Sequence, residues 1–362
     1  MSHRMHTLLA LAVPAVLCAA LPSCWNSNGK GAPSGTDADS DGDTDVDTDA
    51  DGDTDGDSDM DTDADSDMDT DIDSDIDTDV DTDTDDTDDW PTDTECYWGD
   101  LTIADASDVA TLEPWICLSG GDLTITTSVL TNVDLPNLQW VGGNLIIENN
   151  TTLTSLSGLS ALFDVGESLL VHDNTGLTSL EGLSALLTVG DSGGDLDIEY
   201  NPDLTSLGLE ELSSVGTISS DFESGGLIID HNPALTSADL PSLTTITGNA
   251  EISDNDALTS IEGLNALTSV DGNLYVTNND GLTSLAGLSS LAEVGDYLFV
   301  QGNGALASLG MTDLAVCPNL TIISNPNLPQ CDACDLLDQL DEPPLSYNFS
   351  GNEPDSCSDD CT

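Results

Sequence analysis

The chain has 362 residues, of which 70 are acidic and only two, Arg4 and Lys30, are basic, giving a formal net charge of −68. With no Lys or Arg after residue 30, it lacks the basic footprint that phosphate backbones require, and nucleic acid is excluded as a partner. Cations, basic surfaces and neutral ligands such as glycans remain.

The first 24 residues, MSHRMHTLLALAVPAVLCAALPSC, place Arg4 ahead of an apolar run from Leu8 to Leu21. That is the layout of an export signal, and the run is too short for a stable membrane-spanning helix. Its end, Leu21-Pro22-Ser23-Cys24, resembles the bacterial lipobox, in which the cysteine is lipidated and becomes the new N-terminus. The resemblance implies a lipid on Cys24. Because Trp25 follows instead of aspartate, it also implies the bacterial outer membrane or cell surface, with plain secretion as the alternative. No other apolar run is long enough to span a bilayer, so membrane contact is expected through the lipid alone.

From Asp37 to Asp85 every odd position is aspartate. Strict alternation suits a strand on paper, but one face would be a row of like charges about 6.6 Å apart with no apolar face to bury. Residues 25–95 are therefore expected to be a disordered acidic spacer; its Asp-rich run, about 50 residues at ~3.3 Å each, reaches on the order of 160 Å. Pieces such as Asp37-Ala-Asp39-Ser-Asp41-Gly42 match the opening of an EF-hand loop. That loop needs an acid at its twelfth position, which parity makes Thr48 here and Ser58 for the piece starting at Asp47. An EF-hand is excluded, and loose multivalent binding of calcium is the cofactor chemistry that remains.

After Trp90-Pro91 the composition turns to Leu, Gly, Thr, Ser and Asn, and a period appears. GNLIIENNTTLTSLSGLSALFDV from Gly143, ESLLVHDNTGLTSLEGLSALLTV from Glu167 and GNLYVTNNDGLTSLAGLSSLAEV from Gly272 share one pattern, L-x-I/V-x-x-N-x-x-L-x-x-L-x-G-L-x-x-L-x-x-V. Where nothing is inserted it repeats every 24 residues, and such a period means a solenoid. Asparagines recur at 150, 174, 201, 232, 255, 279, 303 and 325. A buried amide at each strand end can bond the backbone of neighbouring turns, so these are read as structural. Leu153, Leu156, Leu159, Leu162 and Val165 are expected to point into a continuous core.

The L-x-I-x-x-N strand with its Leu ladder is similar to a leucine-rich repeat, but three residues separate Val141 from Leu145 where the usual repeat has two. Recurrent GDLTI and GNLYV segments, with a cysteine ahead of the first strand in Cys96-Tyr-Trp-Gly-Asp-Leu101-Thr-Ile103, resemble the receptor L-domain family. That family includes ligand-binding halves of insulin and epidermal growth factor receptor ectodomains, fungal wall proteins and bacterial surface lipoproteins. The resemblance implies a mainly β fold, a right-handed parallel β-solenoid of roughly 22–31-residue turns over residues 96–330. It implies recognition or display and no enzyme chemistry. By the same resemblance Cys96 pairs with Cys117 in an N-terminal cap.

An exported setting favours disulfides for the other cysteines too. Cys331, Cys334, Cys357 and Cys361 are expected to bond within a Cys-rich C-terminal cap over residues 331–362, with their pairing open and a four-thiolate zinc site as the alternative. Cys317 aligns with the inward Val294 and reads as a buried thiol or a member of the C-terminal set.

The mature chain retains His172 and His231, in non-adjacent turns, and both read as surface residues. No G-x-S-x-G elbow or phosphate loop appears. A polysaccharide lyase of β-helix type needs an Arg or Lys base that the solenoid lacks, and a hydrolase using paired carboxylates is the less favoured reading. Most turns leave three residues between the closing valine and the next strand, as in Gly166-Glu167-Ser168. Val189 to Leu196 encloses six and Val215 to Leu227 eleven. Insertions at one corner of adjacent turns often mark a binding face. They gather Asp191, Asp195, Asp221 and Glu223, the metal candidates, around Phe222. A second ligand candidate is the outward apolar column Ile146, Leu170, Ile228, Tyr275 and Phe299. The chain thus reads as a lipid-anchored adhesion or recognition protein binding a protein or glycan. The alternative is a structural envelope or matrix component with a calcium-responsive acidic segment.

Overall fold

The computed structural model describes residues 96–216, 226–355, 357 and 361; the segment expected to be an export signal, Cys24 and the acidic run lie outside them. The chain divides into two units, Met1–Val80 and Asp81–Thr362, and the architecture is that of the second. Its described strands form two parallel sheets, one of nine strands and one, the long sheet, of eleven, with successive turns adding one strand to each until the last two strands, Asn319–Ile323 and Ser346–Asn348, which join only the long sheet. This is the expected mainly β parallel solenoid.

Each long-sheet strand alternates inward and outward residues, as a pleat requires. In Leu145–Glu148, Leu145 and Ile147 are buried while Ile146 and Glu148 are partly exposed. Between the sheets the core residues recur every third position because the chain there makes 3₁₀-type turns, whose side chains eclipse at that spacing. Leu159 N–H donates to Leu156 O at 2.9 Å and Leu162 N–H to Leu159 O at 3.0 Å. Leu153, Leu156, Leu159, Leu162 and Val165 are all buried.

The recurring T-S-L-x-G-L words resolve into separate jobs. The threonine hydroxyl bonds the turn before it, as from Thr154 to Thr131 O at 3.2 Å and from Thr283 to Thr259 O at 3.5 Å. The serine hydroxyl accepts from the N–H two residues on and opens the 3₁₀ turn, as Ser179 does for Glu181 at 3.0 Å. The glycine lies against the preceding turn: a Cβ on Gly287 would stand 1.9 Å from Ile261 O.

The asparagines form one ladder. Asn174 Nδ2 donates to Ile147 O at 2.9 Å and to Asn201 Oδ1 at 2.9 Å, and Asn150 Nδ2 reaches Asn174 Oδ1 at 2.8 Å. All eight expected members are fully buried. A ninth, Asn352, accepts from Asn325 N–H at 3.1 Å and continues the ladder. The boundary expected at residue 330 therefore falls inside the stack. Strand Ser346–Asn348 pairs with Asn319–Ile323, so residues 331–362 add a turn besides closing the end.

Two α-helices that the repeat pattern does not announce occupy the terminal turns. Helix α1 (Ala106–Leu112) is N-capped by Asp105 in a capping box and buries Leu112. Helix α2 (Gln330–Gln339) buries Ala333, Cys334 and Leu336. A solenoid's first and last turns otherwise expose core, which is the physical need these helices meet. Disulfides fix both ends. Cys96 bonds Cys117 between strands in register, and Cys331–Cys357 and Cys334–Cys361 tie α2 to the C-terminal segment. These two bonds use all four thiols and overturn the zinc alternative, while Cys317 is a free, buried thiol.

Candidate ligand face

The long sheet turns two outward columns toward solvent. Parallel register lines up Ile146, Leu170, Asp197, Ile228, Glu251, Tyr275 and Phe299 in the first. The five apolar residues expected to form one patch are thus separated: Asp197 stands between Leu170 and Ile228, and Glu251 between Ile228 and Tyr275. The patch shrinks to its aromatic end. Tyr275 meets Phe299 edge-on at 6.2 Å between ring centroids, and Tyr297 stacks on Phe299 at 5.8 Å. Tyr297 Oη lies 2.6 Å from Thr321 Oγ1, which fixes the third ring. All three rings are partly exposed. Burial, and then the charges of Asp296 and Glu251, hold the Tyr275 hydroxyl above the ordinary phenol range.

In the second column Glu148, His172, Glu199, Asp230, Ser253 and Thr277 follow in register. His172 Nε2 lies 3.1 Å from Asp197 Oδ2. Contact with that carboxylate raises the His172 pKa against the opposing effect of burial, and Glu199 and Asp173 add to the rise. His231 Nδ1 lies 2.6 Å from Asp230 Oδ2, and that contact raises its pKa in turn. Ser253 Oγ stands 2.7 Å from Asp230 Oδ1 and 2.8 Å from Glu251 Oε1. The two histidines do sit in separate turns, but each is set among carboxylates, His172 beside Asp197 of the neighbouring strand and His231 beside Asp230 of its own.

Sequence reasoning passed over Tyr200. The residue before each ladder asparagine adopts positive φ, a conformation that Asn and Asp tolerate and bulky residues avoid. Asn149, Asp173, Asp254, Asn278 and His231 (φ 52°) are of the types enriched there, whereas Ser324 (φ 59°) and above all the bulky Tyr200 (φ 55°) are not. The Tyr200 and His231 rings stack at 4.6 Å, so the strained Tyr200 is supported by its neighbour at an exposed edge. The signal was present as the identity of the residue preceding each ladder asparagine. The strands that end just before Tyr200 and His231, Leu196–Glu199 and Leu227–Asp230, are also the two that begin after the insertions.

At that corner Asp195 Oδ1 accepts from Gly226 N–H at 2.6 Å and joins the two turns. Asp191 is exposed by area, and its charge acts on Asp164 in the turn before. Asp164 is buried, 8% exposed, and accepts from Thr188 Oγ1. Burial pushes its pKa up to about 6, with Asp191 contributing. Asp221, Phe222 and Glu223 lie outside the described residues. Among the described residues no helix is long and apolar enough to cross a membrane.

No curated protein matches the chain. Residues 137–240, which carry His172, Tyr200 and His231 and end before Tyr275 and Phe299, match the family model of the Receptor L domain.

Proposed function

We propose that the chain is a bacterial surface protein, lipid-anchored at Cys24, whose solenoid binds a protein ligand through the outward face of the long sheet. The observation that carries this reading is the cluster of Tyr275, Tyr297 and Phe299 on a face otherwise rich in carboxylates. Partly exposed aromatics packed on one another supply contact area at little cost in side-chain entropy, and such residues dominate protein interfaces. The acidic surround favours a basic partner and accelerates its approach. The Receptor L domain match supports ligand binding as the role. A glycan is the second ligand class, stacking on the same rings. The acidic spacer displays the solenoid and associates loosely with calcium, and no catalytic step is required of any residue.

The test uses the full chain and a double variant, Tyr275→Ser with Phe299→Ser, in pull-downs of surface proteins and on a glycan array, each with and without calcium. The variant is expected to keep the wild-type melting temperature and to lose at least about tenfold in affinity. Equal capture by a folded variant would reject the patch. Turnover of a polysaccharide by the wild type would reject the binding role.

A further inference from the structure

Register gives the long sheet a second feature, independent of the aromatic cluster. Glu199 is the direct partner of His172 on the neighbouring strand, and Asp197, two residues earlier, shares its face. One donor atom from each of His172, Asp197 and Glu199 lies within 4.8 Å of the others. Their side chains converge because the pleat sends alternate residues to one side and the parallel pairing sets neighbours side by side.

The local hydrogen bonding is incomplete. His172 Nε2 and Asp197 Oδ1 are both shielded from solvent, and neither makes a hydrogen bond. Asp197 Oδ2 approaches Nε2 to 3.1 Å, an ion-pair contact. Even a protonated imidazole leaves Oδ1 unmatched. Shielded polar atoms are normally paired, and the chain has no Lys or Arg after residue 30 to supply the missing positive charge.

We propose that His172, Asp197 and Glu199 form a divalent-metal site of imidazole–carboxylate type, suited to zinc or another first-row transition ion. A nitrogen donor favours such ions over calcium and magnesium, which prefer oxygen alone. Zinc bonds of about 2.0–2.1 Å place tetrahedral ligand atoms roughly 3.3 Å apart, close to the 3.1 Å already present. Rotation of the Glu199 side chain brings in the third donor. Three protein ligands leave a coordination position for water or for a donor on a bound partner.

The other cluster on this face, Asp230, His231 and Asp254, is a weaker choice on the same grounds. Both oxygens of Asp230 are already engaged, one by His231 and one by Ser253, and the His231 side chain is 46% exposed.

The experiment uses full chain stripped with a chelator and titrated with cobalt(II), then zinc, with magnesium as control. Cobalt in a tetrahedral nitrogen–oxygen site absorbs strongly in the visible, whereas cobalt held loosely by the acidic spacer stays octahedral and absorbs weakly. Wild type is expected to develop the visible band, lose it to zinc but not to magnesium, and melt higher with zinc. His172→Gln and Glu199→Gln are each expected to weaken cobalt at least about tenfold, while His231→Gln keeps the band. Absence of the band in wild type, its survival in both His172→Gln and Glu199→Gln, or its loss in His231→Gln would each overturn the assignment. Two independent ligand variants keep the test valid if one fails to fold.

Discussion

At the scale of single residues, the buried asparagines carry the most. Asn255 Nδ2 donates to Ile229 O at 2.9 Å and Ser253 O at 2.8 Å, while its Oδ1 accepts from Asn232 N–H at 3.0 Å. Replacing it by Ala leaves several buried backbone groups without partners, and the expected cost is about 3 kcal/mol in a urea unfolding titration. Asn255→Asp is expected to cost at least as much, because a carboxylate cannot donate. Asp164 gives a pH signature. Its pKa rises from 3.8 unfolded to about 6 folded, so the folded state holds the proton more tightly. The associated stability is fully present below pH ~4 and is lost as pH climbs through ~6. Above that pH the buried carboxylate costs roughly 3 kcal/mol. Asp164→Asn is therefore expected to be more stable than wild type at pH 7 and equal to it near pH 4, by melting temperature across that range.

At the scale of the element, the 3₁₀ turn is the least forgiving piece. Its glycine is required because the preceding turn lies too close for any side chain. Gly182 would place a Cβ 2.0 Å from Leu156 O, and Gly263 one 2.0 Å from Ala238 O. Gly287→Ala, with only 1.9 Å to Ile261 O, forces turns apart and is expected to destabilise by about 1–3 kcal/mol in chemical denaturation. Ala at Gly176, whose nearest atom would be 3.2 Å away, serves as a milder comparison and should cost clearly less. The strand ends obey a related rule: positive φ favours Asn, Asp, His and Gly, and the bulky exception, Tyr200, is stacked on His231.

At the scale of the whole molecule, charge dominates. A formal −68 with two basic residues gives a chain that repels itself, and screening relieves that repulsion. The melting temperature of the full chain is therefore expected to rise with added sodium chloride and more steeply with calcium. A flat response from low to high ionic strength would contradict it. The same argument predicts that association with a basic partner slows as salt increases, since its approach is steered by the acidic face.

Much of this protein was legible in its sequence because a solenoid writes its structure as a period. The spacing of Leu153, Leu156, Leu159 and Leu162, the alternation in Leu145–Glu148 and the recurrence of asparagine each report a local geometry, so core, strand and ladder follow from one dimension. Less legible were α1 and α2, which lie where the repeat fades. Four C-terminal cysteines permit three pairings, and only the packing of α2 against the end of the chain selected Cys331 with Cys357 and Cys334 with Cys361. The outward face was decided by tertiary structure as well. Ladder neighbours are 24 residues apart from Asn150 to Asn174 but 27 and 31 apart over the next two steps. Sequence determines that residues such as Asp197 and Glu199 point outward, because alternation is local. That Asp197 interrupts the apolar column and that Glu199 stands beside His172 depends on register between strands, which is set only when the turns stack.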